Sequence, residues 1–194
     1  MSKNKDIEKI RNLVKNCKKC ILHKTRNKTV VDKGSLNAKI MLIGEAPGHN
    51  EDIQGRPFVG KAGKILDELL NSINLKRSDV FIANILICRP PKNRNPLRSE
   101  INMCKKYLDM LIKIIQPRII APMGNFANFY IFKKFGLKID KISNIHGRIY
   151  QINNIYGIIR IIPLYHPAVA TYNINTKKTL FEDFKLIKKV LKEY

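Results

Sequence analysis

Apolar residues fall along this chain in two rhythms: short unbroken runs, and stripes spaced three or four residues apart. AKIMLI at 38–43 is a run that ends in Gly44, which predicts a buried strand opening into a loop. From 62 to 73 the apolar positions are 62, 65, 66, 69, 70 and 73, the stripe of an amphipathic helix. VFIANILI at 80–87 predicts a second strand, followed by the proline-punctuated loop Arg89-Pro90-Pro91-Lys92-Asn93-Arg94-Asn95-Pro96. Ser99 is placed to cap the next helix, whose stripe is 101, 104, 108, 111 and 115. Pro117 stops that helix, and RIIA at 118–121 predicts a third strand. A helix over 123–135, a fourth strand over Ile158–Leu164 and a closing helix over Thr179–Leu191 complete the pattern. Strands that are apolar on both faces and alternate with helices predict an α/β fold, its parallel sheet covered on both sides. In such sheets ligands bind beyond the strand C-termini.

At 194 residues the chain is expected to form a single domain, 1–194, with a basic, cysteine-containing arm at 1–34. No apolar run approaches the ~20 residues of a membrane span, and no apolar stretch follows the charged N-terminus. An intracellular, cytoplasmic protein is expected. No apolar repeat suggests an obligate dimer, so a monomer is expected as well.

The net charge is +22, with 37 Lys and Arg against 15 acids. Such an excess suits a polyanionic partner, although biased codon usage in a Lys/Ile/Asn-rich sequence would also raise it. Four cysteines, at 17, 20, 88 and 104, are spaced C-x2-C, a long gap, then C-x15-C. In a chain that is not exported they suit a metal site better than disulfides, and four thiolates serve zinc or an iron–sulfur cluster alike. Spacing alone does not choose between them, although zinc more typically shows a second C-x2-C.

The loops after the strand ends are Gly44-Glu45-Ala46-Pro47-Gly48, the stretch Asn84 to Pro91, Met123-Gly124-Asn125, and Tyr165-His166-Pro167-Ala168. None holds a P-loop or a G-x-G-x-x-G, and Gly60-Lys61-Ala62-Gly63 has the wrong spacing, which argues against nucleotide hydrolysis and dinucleotide binding. GEAPGHNEDIQGRPFVGKAGKILDELL (44–70), NILICRPPKNRNP (84–96), HPA (166–168) and the four cysteines together closely resemble the family 4, iron–sulfur uracil-DNA glycosylases. The resemblance spans nearly the whole chain. It implies a three-layer α/β/α sandwich around a four-stranded parallel sheet, and a 4Fe–4S cluster on Cys17, Cys20, Cys88 and Cys104. It also implies hydrolysis of the N-glycosidic bond of uracil in DNA, leaving an abasic site as the first step of base excision repair. The expected partner is uracil-containing DNA, met at the nucleoid of a prokaryotic cell.

The site residues follow from the same resemblance. Phe58 is similar to the family's uracil-stacking aromatic, with a core phenylalanine as the alternative. Asn84, an amide inside an apolar strand, can pair with uracil O4 and N3–H together; a structural asparagine is the alternative. His166 matches the histidine expected to hydrogen-bond uracil O2 as charge builds on the leaving base. Backbone groups of Gly44, Glu45 and Ala46 are expected to line the pocket. Glu45 could stabilise the sugar cation or activate water, as carboxylates do in glycoside hydrolysis. The best-known branch of the superfamily has an Asp one position later, where this chain has Ala46, so that role does not transfer directly. Glu51 is expected where the 5-methyl of thymine would go, with a solvated loop acid as the alternative for both Glu51 and Asp52. Val169 is a candidate wedge into the base stack. Arg89, Lys92, Arg94 and Arg98 are candidates for gripping phosphates. His23 and His146 are expected to be structural. A sister branch that uses a histidine in the segment after the second motif does not fit Arg89–Arg94, which has none. A branch with Ala at position 45 does not fit Glu45. A DNA- or RNA-binding module that has lost its chemistry would be expected to have a ruined pocket.

Overall fold

In the computed structural model, which describes residues 3–155 and 157–194, the chain forms a twisted mixed sheet between two helical layers. In chain order the elements are α1 (Lys3–Lys15), β1 (Asp32–Gly34), β2 (Ile40–Gly44), α2 (His49–Gln54), α3 (Lys61–Ser72), β3 (Val80–Asn84) and α4 (Arg98–Ile115). Then come β4 (Ile119–Pro122), α5 (Asn125–Lys134), α6 (Ile142–Ile145), β5 (Tyr150–Asn154), β6 (Gly157–Ile161) and α7 (Ile174–Leu191). Short 3-10 turns occupy Ile21–Lys24, Pro91–Asn93 and Pro167–Thr171.

The sheet order is β1-β3-β2-β4-β6-β5. The four inner strands are parallel, as the apolar runs predict, but the sheet has six strands rather than four. β1 and β5 each close an edge in antiparallel pairing. Both are polar, DKG and YQINN, so neither has the apolar signature of a buried strand.

Alternation along the inner strands feeds two cores. Met41, Ile43, Phe81 and Ala83 face α1, α4 and α5, while Ile40, Leu42, Val80 and Ile82 face α3 and α7. The N-terminal arm belongs to this packing: Ile7, Ile10 and Val14 of α1 are fully buried. Among the described residues no helix is long and apolar enough to cross a membrane.

Several boundaries differ from the sequence expectation. α4 begins one residue before Ser99, with Leu97 as its N-cap; Glu100 reaches back and accepts the Leu97 amide at 2.8 Å. The second strand ends at Asn84, beyond which Ile85 and Leu86 donate their amides to Gly44 and Glu45, each at 3.0 Å. The fourth strand ends at Ile161, with one more bridge between Leu164 and Met123 past the Pro163 interruption. The last helix starts at Ile174, capped by Asn173, whose side chain accepts the Thr176 amide at 3.1 Å.

These registers bring the loops together. Gly44 pairs across from Asn84, Ile43 across from Pro122, and the Met123–Leu164 bridge delivers His166 to the same edge. β2 is flanked by β3 on one side and β4 on the other, the crevice where such sheets bind ligands.

Candidate active site

At that crevice lies a cavity of about 330 Å³, within the roughly 300–1,000 Å³ range of small-molecule sites. Glu45, Ala46, Glu51, Phe58, Asn84 and His166 all line it, together with Pro90, Asn93, Arg94 and Ala168. Gly44 lies against two of the lining side chains: a Cβ there would come within 2.8 Å of Phe58 Cζ and would collide with Asn84 Oδ1. The seven residues proposed from sequence therefore converge on one place.

Asn84 is 4% exposed, at the end of an apolar strand, and its Oδ1 is buried without a hydrogen-bond partner. An orphaned acceptor of this kind costs about 1–3 kcal/mol, and at the wall of a cavity it is open to a donor from whatever enters. Phe58 is 5% exposed and its ring lies 5.7 Å from the His166 ring at an interplanar angle of 26°. Its backbone is left-handed, φ +54°, an uncommon state for a bulky residue.

His166 is half-buried, and desolvation holds its imidazole down to about 4, against which Glu51 acts weakly in the opposite direction. The ring is therefore neutral near pH 7. Nδ1 accepts the Ala168 amide at 3.2 Å, which puts the ring proton on Nε2 and makes that atom the donor. Burial pushes the Glu45 carboxyl above the usual carboxylate range.

Both acids of α2 accept hydrogen bonds from other segments, Glu51 half-buried and Asp52 fully buried. Glu51 Oε1 accepts the amides of Val59 and Gly60, each at 2.8 Å, so it holds the loop behind Phe58 while lining the cavity. Asp52, 1% exposed, accepts Asn27 N at 2.9 Å, Asn27 Nδ2 at 2.6 Å and Lys28 N at 3.3 Å, and so ties the N-terminal arm to α2.

The basic loop is also more engaged than expected. Arg94 pairs with buried Glu100 at 2.5 Å, and Arg89 donates to Asn93 Oδ1 at 2.8 Å and contacts His49 Nδ1 at 3.2 Å. Lys92 and Arg98 remain exposed. Val169 is half-buried; beyond the HPA segment the large exposed side chains are Tyr172, at 78%, and Ile174, at 65%. His146 pairs with Asp183 at 3.0 Å, and His23 bonds the Cys20 carbonyl at 2.7 Å, so both serve the scaffold.

Cys17, Cys20, Cys88 and Cys104 line a second, small cavity with Arg26 and Tyr107. Donors aim at the sulfurs: Arg26 Nη1 to Cys88 at 3.1 Å, the Tyr107 hydroxyl to Cys17 at 3.2 Å, and the Ile87 amide to Cys104 at 3.4 Å. Among the described residues no group of three or more His, Cys, Asp or Glu could hold a single metal ion.

Sequence reasoning missed Arg77, which sits behind the Phe58 loop with its guanidinium on the loop's carbonyls. Nothing in its neighbours marks it, since its partners lie 10 to 20 residues away in the chain.

The family model described as the Uracil DNA glycosylase superfamily matches residues 31–191. The chain is 47% identical over 188 residues to a type-4 uracil-DNA glycosylase of Saccharolobus solfataricus, covering 96% of this chain and 87% of that protein. It is 46% identical to one of Sulfurisphaera tokodaii, covering 95% and 84%, and 42% identical to one of Archaeoglobus fulgidus, covering 90% and 87%.

Proposed function

Because the chain belongs to the uracil-DNA glycosylase superfamily, with type-4 enzymes among its relatives, we propose that its cavity takes a uracil turned out of DNA and cuts its N-glycosidic bond. The observation that carries this reading is the convergence of Phe58, Asn84 and His166 on one cavity, with the Asn84 oxygen unpartnered.

A base inside a duplex is out of reach, so the nucleotide is extruded at a cost of a few kcal/mol. Phe58 offers the face on which the ring stacks. Asn84 donates from Nδ2 to uracil O4 and accepts N3–H at Oδ1. Cytosine carries an amino group and a bare nitrogen at those positions and reverses both demands. Neutral His166 donates Nε2–H to O2 as negative charge builds on the departing base, a contribution of the oxyanion-hole kind worth about 3 kcal/mol. The sugar is left with oxocarbenium character, and Glu45, its carboxyl made more basic by burial, takes the proton of the water that captures it. Glu51 places a carboxylate where the 5-methyl of thymine would have to sit. Lys92, Arg98 and the overall charge of +22 supply phosphate contacts. We take the working unit to be a monomer, since one chain supplies every wall of the cavity.

The four cysteines fit a 4Fe–4S cluster. They line one cavity, and three donors aim at their sulfurs, as suits thiolate ligands of an iron–sulfur centre. Such a cluster would pin the arm carrying Cys17 and Cys20 to the segment carrying Cys88 and Cys104, a closure that spans a long stretch of chain.

Purified holoprotein incubated with a uracil-containing oligonucleotide and then with alkali should give strand scission at the uracil. Absence of scission would reject the reading. The preparation should be brown with about four irons per chain, and a colourless zinc protein would overturn the cluster assignment.

A further inference from the structure

We propose that Arg77 is a positioning residue for base recognition, whose guanidinium fixes the backbone that presents Phe58. The inference rests on the uracil-excision reading above. Arg77 lies in the turn between α3 and β3 and does not line the cavity. Its Nη1 donates to the Pro57 carbonyl at 3.2 Å, and Nη2 donates to the carbonyls of Phe58 at 2.5 Å and Gly63 at 3.1 Å. Asp67, on α3, holds the other side of the guanidinium, at 2.5 Å from Nε and 3.2 Å from Nη2.

This arrangement answers two local needs. The first is conformational: Phe58 sits at φ +54°, where a phenylalanine does not rest unaided, so its peptide groups must be held from outside. The second is steric: the loop runs against the first turn of α3, where a Cβ on Gly63 would collide with the Phe58 carbonyl. Three carbonyls of two segments therefore converge on one point, and only a planar fork of several N–H groups satisfies them together while also pairing with a carboxylate. Glu51 clamps the same loop from the opposite side through the amides of Val59 and Gly60. Held between an arginine on its carbonyls and a glutamate on its amides, the loop keeps the Phe58 ring against Gly44 and His166.

If Arg77 acts through Phe58, the two residues cannot contribute independently. The test is a double-mutant cycle in the holoenzyme with Arg77→Gln, Phe58→Leu and the double variant. Steady-state excision and the melting temperature are measured for each. Phe58→Leu is expected to raise KM about tenfold with kcat within about twofold, the loss of one base–aromatic stack. Arg77→Gln should produce a KM rise of the same order, and the double variant should be no worse than Phe58→Leu alone. Where Arg77→Gln fails to fold, Asp67→Asn takes its place in the cycle, since it loosens the fork from behind. KM effects that multiply in the double variant would overturn the inference. So would an Arg77→Gln enzyme that melts earlier but keeps the wild-type KM. A wild-type protein that does not excise uracil at all refutes the functional reading instead, before the cycle begins, and the inference falls with it.

Discussion

Replacing Asn84 by alanine separates recognition from stability. In the free protein Asn84 Oδ1 is buried without a partner, so truncation removes a group whose desolvation costs about 1–3 kcal/mol. Against that gain stands the packing lost from a side chain that borders an existing cavity. The two nearly cancel, and the melting temperature should move by less than about 4 °C, the shift that roughly 1 kcal/mol produces in a domain of this size. With uracil bound the balance is different. Two hydrogen bonds disappear, at about 0.5–1.5 kcal/mol each, and the O4 and N3–H edge is left dry and unpaired for another 1–3 kcal/mol or so. Their sum centres near 4 kcal/mol, which is roughly a thousandfold in kcat/KM. Excision kinetics and calorimetry on one preparation check both halves. Fluorescence anisotropy should show salt-dependent DNA binding retained, because the phosphate contacts lie elsewhere. A variant that loses less than tenfold in kcat/KM, or that melts more than about 10 °C early, would make Asn84 a structural residue and refute the reasoning.

Gly44→Ala puts a Cβ within 2.8 Å of Phe58 Cζ and should lower excision at least tenfold while DNA binding persists; unchanged kinetics would show that the ring has room to retreat. Asp52→Ala removes the acceptor for three donors of Asn27 and Lys28 and should cost about 2–3 kcal/mol, seen as melting several degrees earlier. His166 carries a pH signature in stability. Its pKa is about 4 in the folded protein and about 6.5 in the unfolded chain, so on acidification the unfolded chain takes up the proton first. Stability conferred by the neutral ring is full above about pH 6.5 and is lost as pH falls towards 4. Between pH 7 and 5 the wild type should lose about 2 kcal/mol more than His166→Asn in denaturant unfolding, and parallel curves would refute the shift. Glu45 works the other way, since its raised pKa relieves a burial penalty on acidification, and it is common to both proteins in that comparison.

The parallel strands β2, β3 and β4 were legible because each is buried along its whole length, so Val80 to Ala83 and Ile40 to Ile43 read as unbroken apolar runs. The edge strands were not. Asp32–Gly34 and Tyr150–Asn154 are defined by pairing with a neighbour rather than by their own pattern. α2, with six residues and only one apolar side chain, is too short to show a period. Two candidate site residues contradicted their surroundings, an amide in an apolar strand and an aromatic among loop prolines and glycines, whereas His166, Glu45 and Glu51 were named by the family resemblance. The site was illegible where a charge is spent internally. Asp52, Arg94 and Arg77 look like ordinary surface charges in sequence, and only the fold reveals that each is matched to a buried partner or to main-chain groups.

The distribution of charge bears on how such a cavity could break a glycosidic bond. The chain carries +22 overall, yet the ionisable residues that line the cavity include two carboxylates, Glu45 and Glu51, and a histidine held neutral. The lining cation, Arg94, is already paired with Glu100. On the proposed reading the outer surface meets phosphates through a screened field, while the interior offers anions to a sugar that becomes positive. The departing uracil meets hydrogen bonds from Nε2 of His166 and the amide of Asn84 rather than a full cation. A neutral donor suffices if the bond to the sugar is largely broken before water arrives, because the base then leaves as an anion that the flanking oxocarbenium itself attracts. His166 needs only to be desolvated and aimed, and its burial and its Nδ1 contact to the Ala168 amide secure both.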